Sequence, residues 1–207
     1  MSRKIKKTKP QIYVFCEGES EQAYTTFLKE RFEDVAVIKK PKSTGLFEYA
    51  KQMFNKAPTY KNNVEITDEI WFFYDVEKKD INKVEARQKI INELRRLRKK
   101  QNIRVRLLMT TACIEYWLML HYKYFAPSIE TEADKDNMLR SVVAKEPTYE
   151  KGDSKSTAKI AERYKTANEN AKNVLMNLLP DGLPSLDDTV ERNVWLSKSG
   201  KTFSTVF

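Results

Sequence analysis

Two short, wholly apolar runs, each stopped by acids, constrain this chain more than any other feature. Ile12-Tyr13-Val14-Phe15-Cys16 ends at Glu17-Gly18-Glu19, and Ile70-Trp71-Phe72-Phe73-Tyr74 ends at Asp75-Val76-Glu77. Continuous β-prone apolarity without polar alternation predicts strands covered on both faces, as in a parallel sheet. Val35–Ile38 and Ile103–Met109 are weaker runs of the same kind. Between them the period becomes helical. Ser20 reads as the cap of a helix carrying Ala23, Tyr24, Phe27 and Leu28, and Ser43/Thr44 as the cap of one carrying Leu46, Phe47, Ala50, Met53 and Phe54. A long helix from about Asn82 to Gln101 buries Val84, Ile91, Leu94 and Leu97. Strands alternating with helices predict an α/β fold, a mostly parallel sheet flanked by helices on both faces.

Beyond Met109 the pattern changes. Cys113–Tyr124 is densely apolar and reads as a buried helix, and residues 131–145 and 156–179 read as polar helices. Residues 185–207 show no period. The expected organisation is a basic flexible tail (1–10), an α/β core (11–125) and a helix-rich C-terminal region (126–207) packed on or beside it. Five glycines in 207 residues disfavour an all-β chain built from tight turns. No apolar run approaches the roughly 18–20 residues of a membrane span, and no signal-peptide core follows the basic start. Cys16 and Cys113 both lie in apolar segments and are expected as buried, unpaired thiols of a cytoplasmic protein. One histidine and no CxxC pair argue against structural zinc.

The net charge of +9 is unevenly spread. Residues 1–10 hold five cations and no acid, and residues 78–106 hold twelve cations against three acids. Within the second stretch, Lys78, Lys79, Arg95, Arg96, Arg98, Lys99 and Lys100 are candidates for nucleic-acid contact. A solvated helix face is the alternative.

In parallel α/β sheets ligands bind beyond the carboxyl ends of the strands. Glu17 stands at one such end and Asp75 and Glu77 at another. Residues two apart on extended backbone point to the same side, so Asp75 and Glu77 can face one cation together, with Glu17 joining them if the strands are neighbours. Three carboxylates without His or Cys form an all-oxygen set suited to Mg2+ or Mn2+.

These residues also carry a resemblance. Val14-Phe15-Cys16-Glu17-Gly18-Glu19-Ser20-Glu21, followed by Tyr24, is similar to the opening motif of the RloB-like family, a Toprim-related branch found with restriction and abortive-infection loci. Phe72-Phe73-Tyr74-Asp75-Val76-Glu77 resembles its second motif, an apolar strand ending in Asp-x-Asp, with Glu77 in place of the second Asp. Thr111-Ala112-Cys113-Ile114-Glu115-Tyr116-Trp117-Leu118-Met119-Leu120-His121 resembles its third. There Ile114 replaces a common Phe, and Thr111-Ala112 a polar-Pro stretch. The likeness covers about residues 11–125, with a weaker continuation through Tyr149-Glu150-Lys151.

The resemblance implies a Toprim-like fold and a Mg2+-dependent nuclease acting on DNA or RNA in phage defence. Glu17 would be general acid/base or metal ligand, and Asp75 and Glu77 would bind Mg2+. Glu19 and Glu21 would be acids supporting those ligands, although Glu21 also suits a first helical turn. Glu115 would join the site, or simply stabilise its helix N-terminus. His121 is either catalytic or phosphate-binding, or a hydrogen-bonded core histidine. Six residues separate it from Glu115, about 240° around a helix axis, so the two do not share a face. Lys151 would meet a phosphate. Implied partners, besides nucleic acid, are an ATPase or another protein of the defence locus and further copies of the chain, with no membrane contact. Two other functions stay open: a nucleic-acid-binding or sensor subunit with a degenerate acidic site, and a Toprim enzyme acting on tRNA or a small nucleotide.

Overall fold

The structure, a computed structural model, describes residues 8–42, 44–55, 60–97, 102–179 and 196–207. Among these, strands β1 (Gln11–Cys16), β2 (Val37–Lys39), β3 (Glu69–Val76) and β4 (Arg104–Thr111) form one all-parallel sheet in the order β2-β1-β3-β4. Parallel neighbours need crossover connections. These are α1 (Glu19–Arg31), then α2 (Phe47–Asn55) with α3 (Tyr60–Ile66), then α4 (Val84–Arg95) after a 3-10 turn at Lys78–Lys83. α5 (Ile114–Leu120), α6 (Glu132–Lys145), α7 (Ser154–Ala161) and α8 (Tyr164–Leu178) follow. The result is an α/β fold of Toprim-like type.

Side-chain alternation along the strands builds two cores. Val14, Cys16 and Phe73 pack with α1 and α5 on one face. Tyr13, Phe15, Phe72 and Tyr74 pack with α2 and α4 on the other. The same parity carries Asp75 to the α1/α5 side. The C-terminal region is part of this body: α7 packs on α1, α6 and α8 pack on α5, and Ala161, Ala167 and Ala171 share a core with Val14 and Trp117. The last residues cover the free edge of β4. Ser204 bridges antiparallel to Thr110, and the Thr205 N–H donates to Met109 O at 2.8 Å. The later half of this edge, from Leu107 to Thr111, is covered in this way.

Several boundaries differ from the sequence expectation. β2 begins at Val37 because Val35 sits in a turn, 66% exposed. The cap of α1 is Gly18 rather than Ser20: its N–H donates to Glu21 Oε2 at 3.0 Å. A Cβ at Gly18 would fall 2.9 Å from that oxygen, so a larger residue would make the Glu21 carboxylate shift. The helix expected over 82–101 is preceded by the 3-10 turn and ends at Arg95. The helix expected over 113–124 stops at Leu120, whose carbonyl accepts a bond from Asn170 Nδ2 at 2.7 Å. The segment 156–179 is two helices, since α7 must follow α1 and α8 must follow α5. α3 was not expected, its polar residues hiding a single buried contact at Val64. Ser43 and most of the basic tail (1–7) lie outside the described residues. Cys16 and Cys113 are buried and free, and no helix among the described residues is long and apolar enough to cross a membrane.

Candidate active site

β1 and β3 lie side by side at the sheet centre, and the chain leaves them toward opposite edges. The crevice at such a switch point is where α/β proteins bind ligands. Glu17 extends the β1–β3 pairing, its N–H donating to Phe73 O at 3.0 Å. Its Oε2 accepts the Asp75 N–H at 3.0 Å. Glu21 follows in the first turn of α1. From β4 the chain turns through Ala112, whose φ of 64° is left-handed, a region non-glycine residues enter rarely. Its N–H is held by Val76 O at 2.9 Å. That turn starts α5 so that Glu115, its second residue, reaches the same crevice. Glu19, Glu21, Asp75, Glu77, Glu115 and Lys151 all line an open cleft of about 320 Å3.

The acids in this cleft are poorly compensated. Asp75 Oδ1 is sealed from solvent and has no hydrogen-bond partner. Burial, then the charges of Glu21, Glu17, Glu115 and Glu77, push the Asp75 pKa well above the usual carboxylate range. Glu21, only 4% exposed, is raised to about 7, chiefly by burial and further by Glu17 and Glu115. Glu17 reaches solvent on one side, yet partial burial raises it too, against the Asp75 N–H bond. The neighbouring Cys113 thiol is pushed up to about 12 by burial and then by Glu115 and Asp75, so it stays protonated.

Cations come from the C-terminal helices. Lys135 of α6 bonds the Glu77 carboxylate, which also pairs with Lys79. Burial would raise the Glu77 pKa, but the two lysines bring it below its ordinary value. In the loop between α6 and α7, Lys151 Nζ lies 3.2 Å from Glu115 Oε1, and the Tyr149 hydroxyl donates to the same oxygen at 3.3 Å. Gly152 keeps this loop close. Its φ is +79°, and a Cβ there would meet Glu19 Cβ at 3.1 Å.

The structure therefore brings Glu19, Glu21, Asp75, Glu115 and Lys151 into one cleft, with Glu17 outside its lining and tied to it by the Asp75 N–H. Glu77 shares the cleft, but its carboxylate turns to lysines rather than to Asp75. His121 does not reach the cleft. It is 1% exposed, with Nε2 3.1 Å from the Tyr24 hydroxyl and Nδ1 3.0 Å from Trp117 O. Burial depresses its pKa to about 4. Helical phase is the reason, since Glu115 and His121 leave α5 in different directions. Lys78 pairs with Glu130 at 2.6 Å, and both line a separate hollow rather than the cleft. Arg95 and Arg96 end α4 at the far edge of the sheet, where Arg95 lines a hollow with Glu69 and Arg104, the first residues of β3 and β4. Eight strand residues put roughly 20–25 Å between that edge and Asp75. Arg98, Lys99 and Lys100 lie outside the described residues. The sequence reading missed Lys135 and the role of Tyr149, which tertiary packing alone delivers.

Among the described residues no three His, Cys, Asp or Glu side chains converge closely enough to hold a metal ion as they stand. The donor chemistry still fits a hard cation: oxygen ligands only, and a buried Asp75 oxygen lacking any partner. An all-parallel α/β sheet with buried acids at its switch point is the design of a Toprim-like protein. A family model described as RloB-like protein matches residues 12–183, most of the chain, and the chain belongs to the RloB-like family. No curated protein and no solved structure matches it.

Proposed function

We propose that this protein is a metal-dependent nuclease that hydrolyses phosphodiester bonds of DNA or RNA, in the defence setting its family resemblance implies. The observation that supports this most is the unpartnered Asp75 Oδ1, buried among Glu17, Glu21 and Glu115. Buried charge normally has a counter-ion or takes a proton. Asp75 with Glu17 would hold Mg2+ or Mn2+, which supplies charge neutralisation at a scissile phosphate and a more acidic bound water. Glu21, with a pKa of about 7, holds or releases a proton at neutral pH, the range in which general acid–base groups work. Lys151 and Lys135 stand at the rim with ammonium groups that can meet phosphate oxygens. Glu115 and Tyr149 position Lys151.

The test is incubation with plasmid, single-stranded DNA and tRNA in Mg2+, Mn2+ or EDTA, beside Asp75→Ala and Glu17→Ala. Cleavage that needs the metal and is lost in both variants is expected. Cleavage that survives either substitution, or ignores EDTA, sinks the proposal. One observation favours a second reading, a binding or sensor subunit: Glu77, the expected third ligand, is engaged by two lysines. Metal-independent retention of nucleic acid without cleavage on any of these substrates would select it.

A further inference from the structure

The cleft accounts for the carboxyl end of the sheet. At the opposite end, on the face that α1 covers, a gap between α1 and the start of α8 leaves a cavity of about 440 Å3. Trp71 and Leu108 form part of its floor, and Phe32 and Tyr164 part of its walls. This size, with a mainly apolar lining and a few polar groups, is typical of small-molecule pockets.

One N–H group of the lining, on Arg106, has no acceptor. Arg106 Nε is sealed from solvent and unpartnered, although Nη2 donates to Phe207 O at 2.9 Å and the guanidinium lies 5.2 Å from the Trp71 ring. Trp117 is 1% exposed, and its Nε1 makes no hydrogen bond of acceptable geometry. Its natural partner is the Tyr24 hydroxyl, whose pKa burial raises and the Trp117 N–H lowers in part. Native interiors rarely leave a donor like Arg106 Nε unanswered. The nearby acid, Glu69, is already engaged, accepting the Trp71 indole N–H at 2.7 Å and facing Arg104 at 3.8 Å. Arg106 brings to this lining a guanidinium that makes no ion pair among the described residues, and flat aromatic walls favour a flat occupant.

We propose that this cavity is a second binding site, taking a planar aromatic molecule that carries an anionic acceptor. Its rings lie among Trp71, Phe32 and Tyr164, and its anion meets the Arg106 guanidinium. The site is independent of the nuclease reading, and binding is measured without any cleavage assay.

Two probes of the same ring system separate the parts of this claim. 8-Anilinonaphthalene-1-sulfonate carries the anion, and N-phenyl-1-naphthylamine lacks it. Fluorescence titration of the full chain should show one saturable site for the sulfonate, at least about tenfold tighter than for the amine. Arg106→Met should remove that preference, with folding confirmed by circular dichroism. Asn168→Phe, which fills the cavity from α8 without touching Arg106, should weaken both probes at least about tenfold. Absence of saturable binding, equal affinity for the two probes, or indifference to Asn168→Phe would overturn the proposal. So would a crystal structure with the cavity filled by residues 1–7 or by a second copy of the chain.

Discussion

The two edges of one sheet treat their acids in opposite ways. At the amino edge Asp68 Oδ2 accepts the Gln11 N–H at 2.8 Å, and Glu69 is held by the Trp71 indole and Arg104. At the carboxyl edge Asp75 Oδ1 has no partner, and Asp75, Glu21 and Glu17 all have raised pKa values. Acids that are bonded in the native state stabilise it, and acids crowded together without partners destabilise it. A fold that satisfies its carboxylates at one end and leaves them strained at the other marks the carboxyl end as the candidate site.

The largest expected effect comes from making one substitution at both edges. Asp75→Asn should reduce cleavage by about 10³-fold or more, comparable to losing a reacting group. In EDTA it should also raise Tm, by about 2–4 °C for each kcal/mol of repulsion relieved. Asp68→Asn should lower Tm and leave cleavage per folded molecule unchanged. Calorimetry in EDTA reads both signs, and a Tm loss at Asp75 would break the contrast.

A second contrast lies between Glu21 in the cleft and His121 in the core. The Glu21 pKa is raised from 4.5 to about 7, so its folded form prefers the proton. The stability it gives is fully present below about pH 4.5 and is lost as pH rises to 7, about 3 kcal/mol in all. His121 is depressed from 6.5 to about 4. The unfolded chain then takes up a proton that the folded chain refuses, so stability is lost as pH falls from 6.5 to 4. The slopes oppose each other in the same window. Relative to wild type, Glu21→Gln should tilt the stability profile upward with pH, and His121→Phe should tilt it downward. Urea denaturation at pH 5 and pH 7.5 measures both.

Smaller effects belong to the loop that answers Glu115. Gly152→Ala should cost about 1–2 kcal/mol in left-handed strain and also press on Glu19. Gly200 has a similar φ of +67° with nothing within 4 Å of a Cβ, so Gly200→Ala carries the strain alone. Only Gly152→Ala should reduce cleavage, a few-fold, by moving Tyr149 and Lys151 off Glu115. Equal activity in the two variants would show that the loop does not serve the cleft.

The legible parts of this molecule were those encoded locally. The β1 and β3 strands could be read because continuous apolar runs fit a doubly covered sheet. The place of Glu17 and Asp75 at the carboxyl edge could be read because the apolar runs stop there. Gly18 was passed over for Ser20 because a backbone cap completed by Glu21 leaves no hydroxyl signature. The coupling of Lys135 to Glu77 and of Tyr149 to Glu115 spans 58 and 34 residues, and no periodicity records it. Residues 203–205 follow β4 through one bridge and a few side-chain bonds, too short a contact to leave a pattern. Charge density could not show how far Arg95 and Arg96 stand from the acids. The helix that follows Asp75 runs back along the sheet, so residues adjacent in sequence to the acids end at the far edge.

That geometry sets the smallest and last test, the salt dependence of nucleic-acid binding. Each phosphate contact removed should flatten the slope of log K against log salt by about one unit. With Asp75→Asn as background to prevent cleavage, Lys135→Ala and Lys151→Ala should each do so, because both ammonium groups stand at the cleft. Glu115 does not hold Lys151 fast, since that lysine is 57% exposed and exposed pairs contribute little; Lys135, only 23% exposed between Glu77 and Glu132, must leave Glu77 to meet a phosphate. Arg96→Ala should leave the slope unchanged, since a backbone crossing the cleft passes roughly 20 Å away. The reverse outcome, flattening by Arg96→Ala and none by the lysines, would place nucleic acid across the amino edge. The buried acids would then face no phosphate.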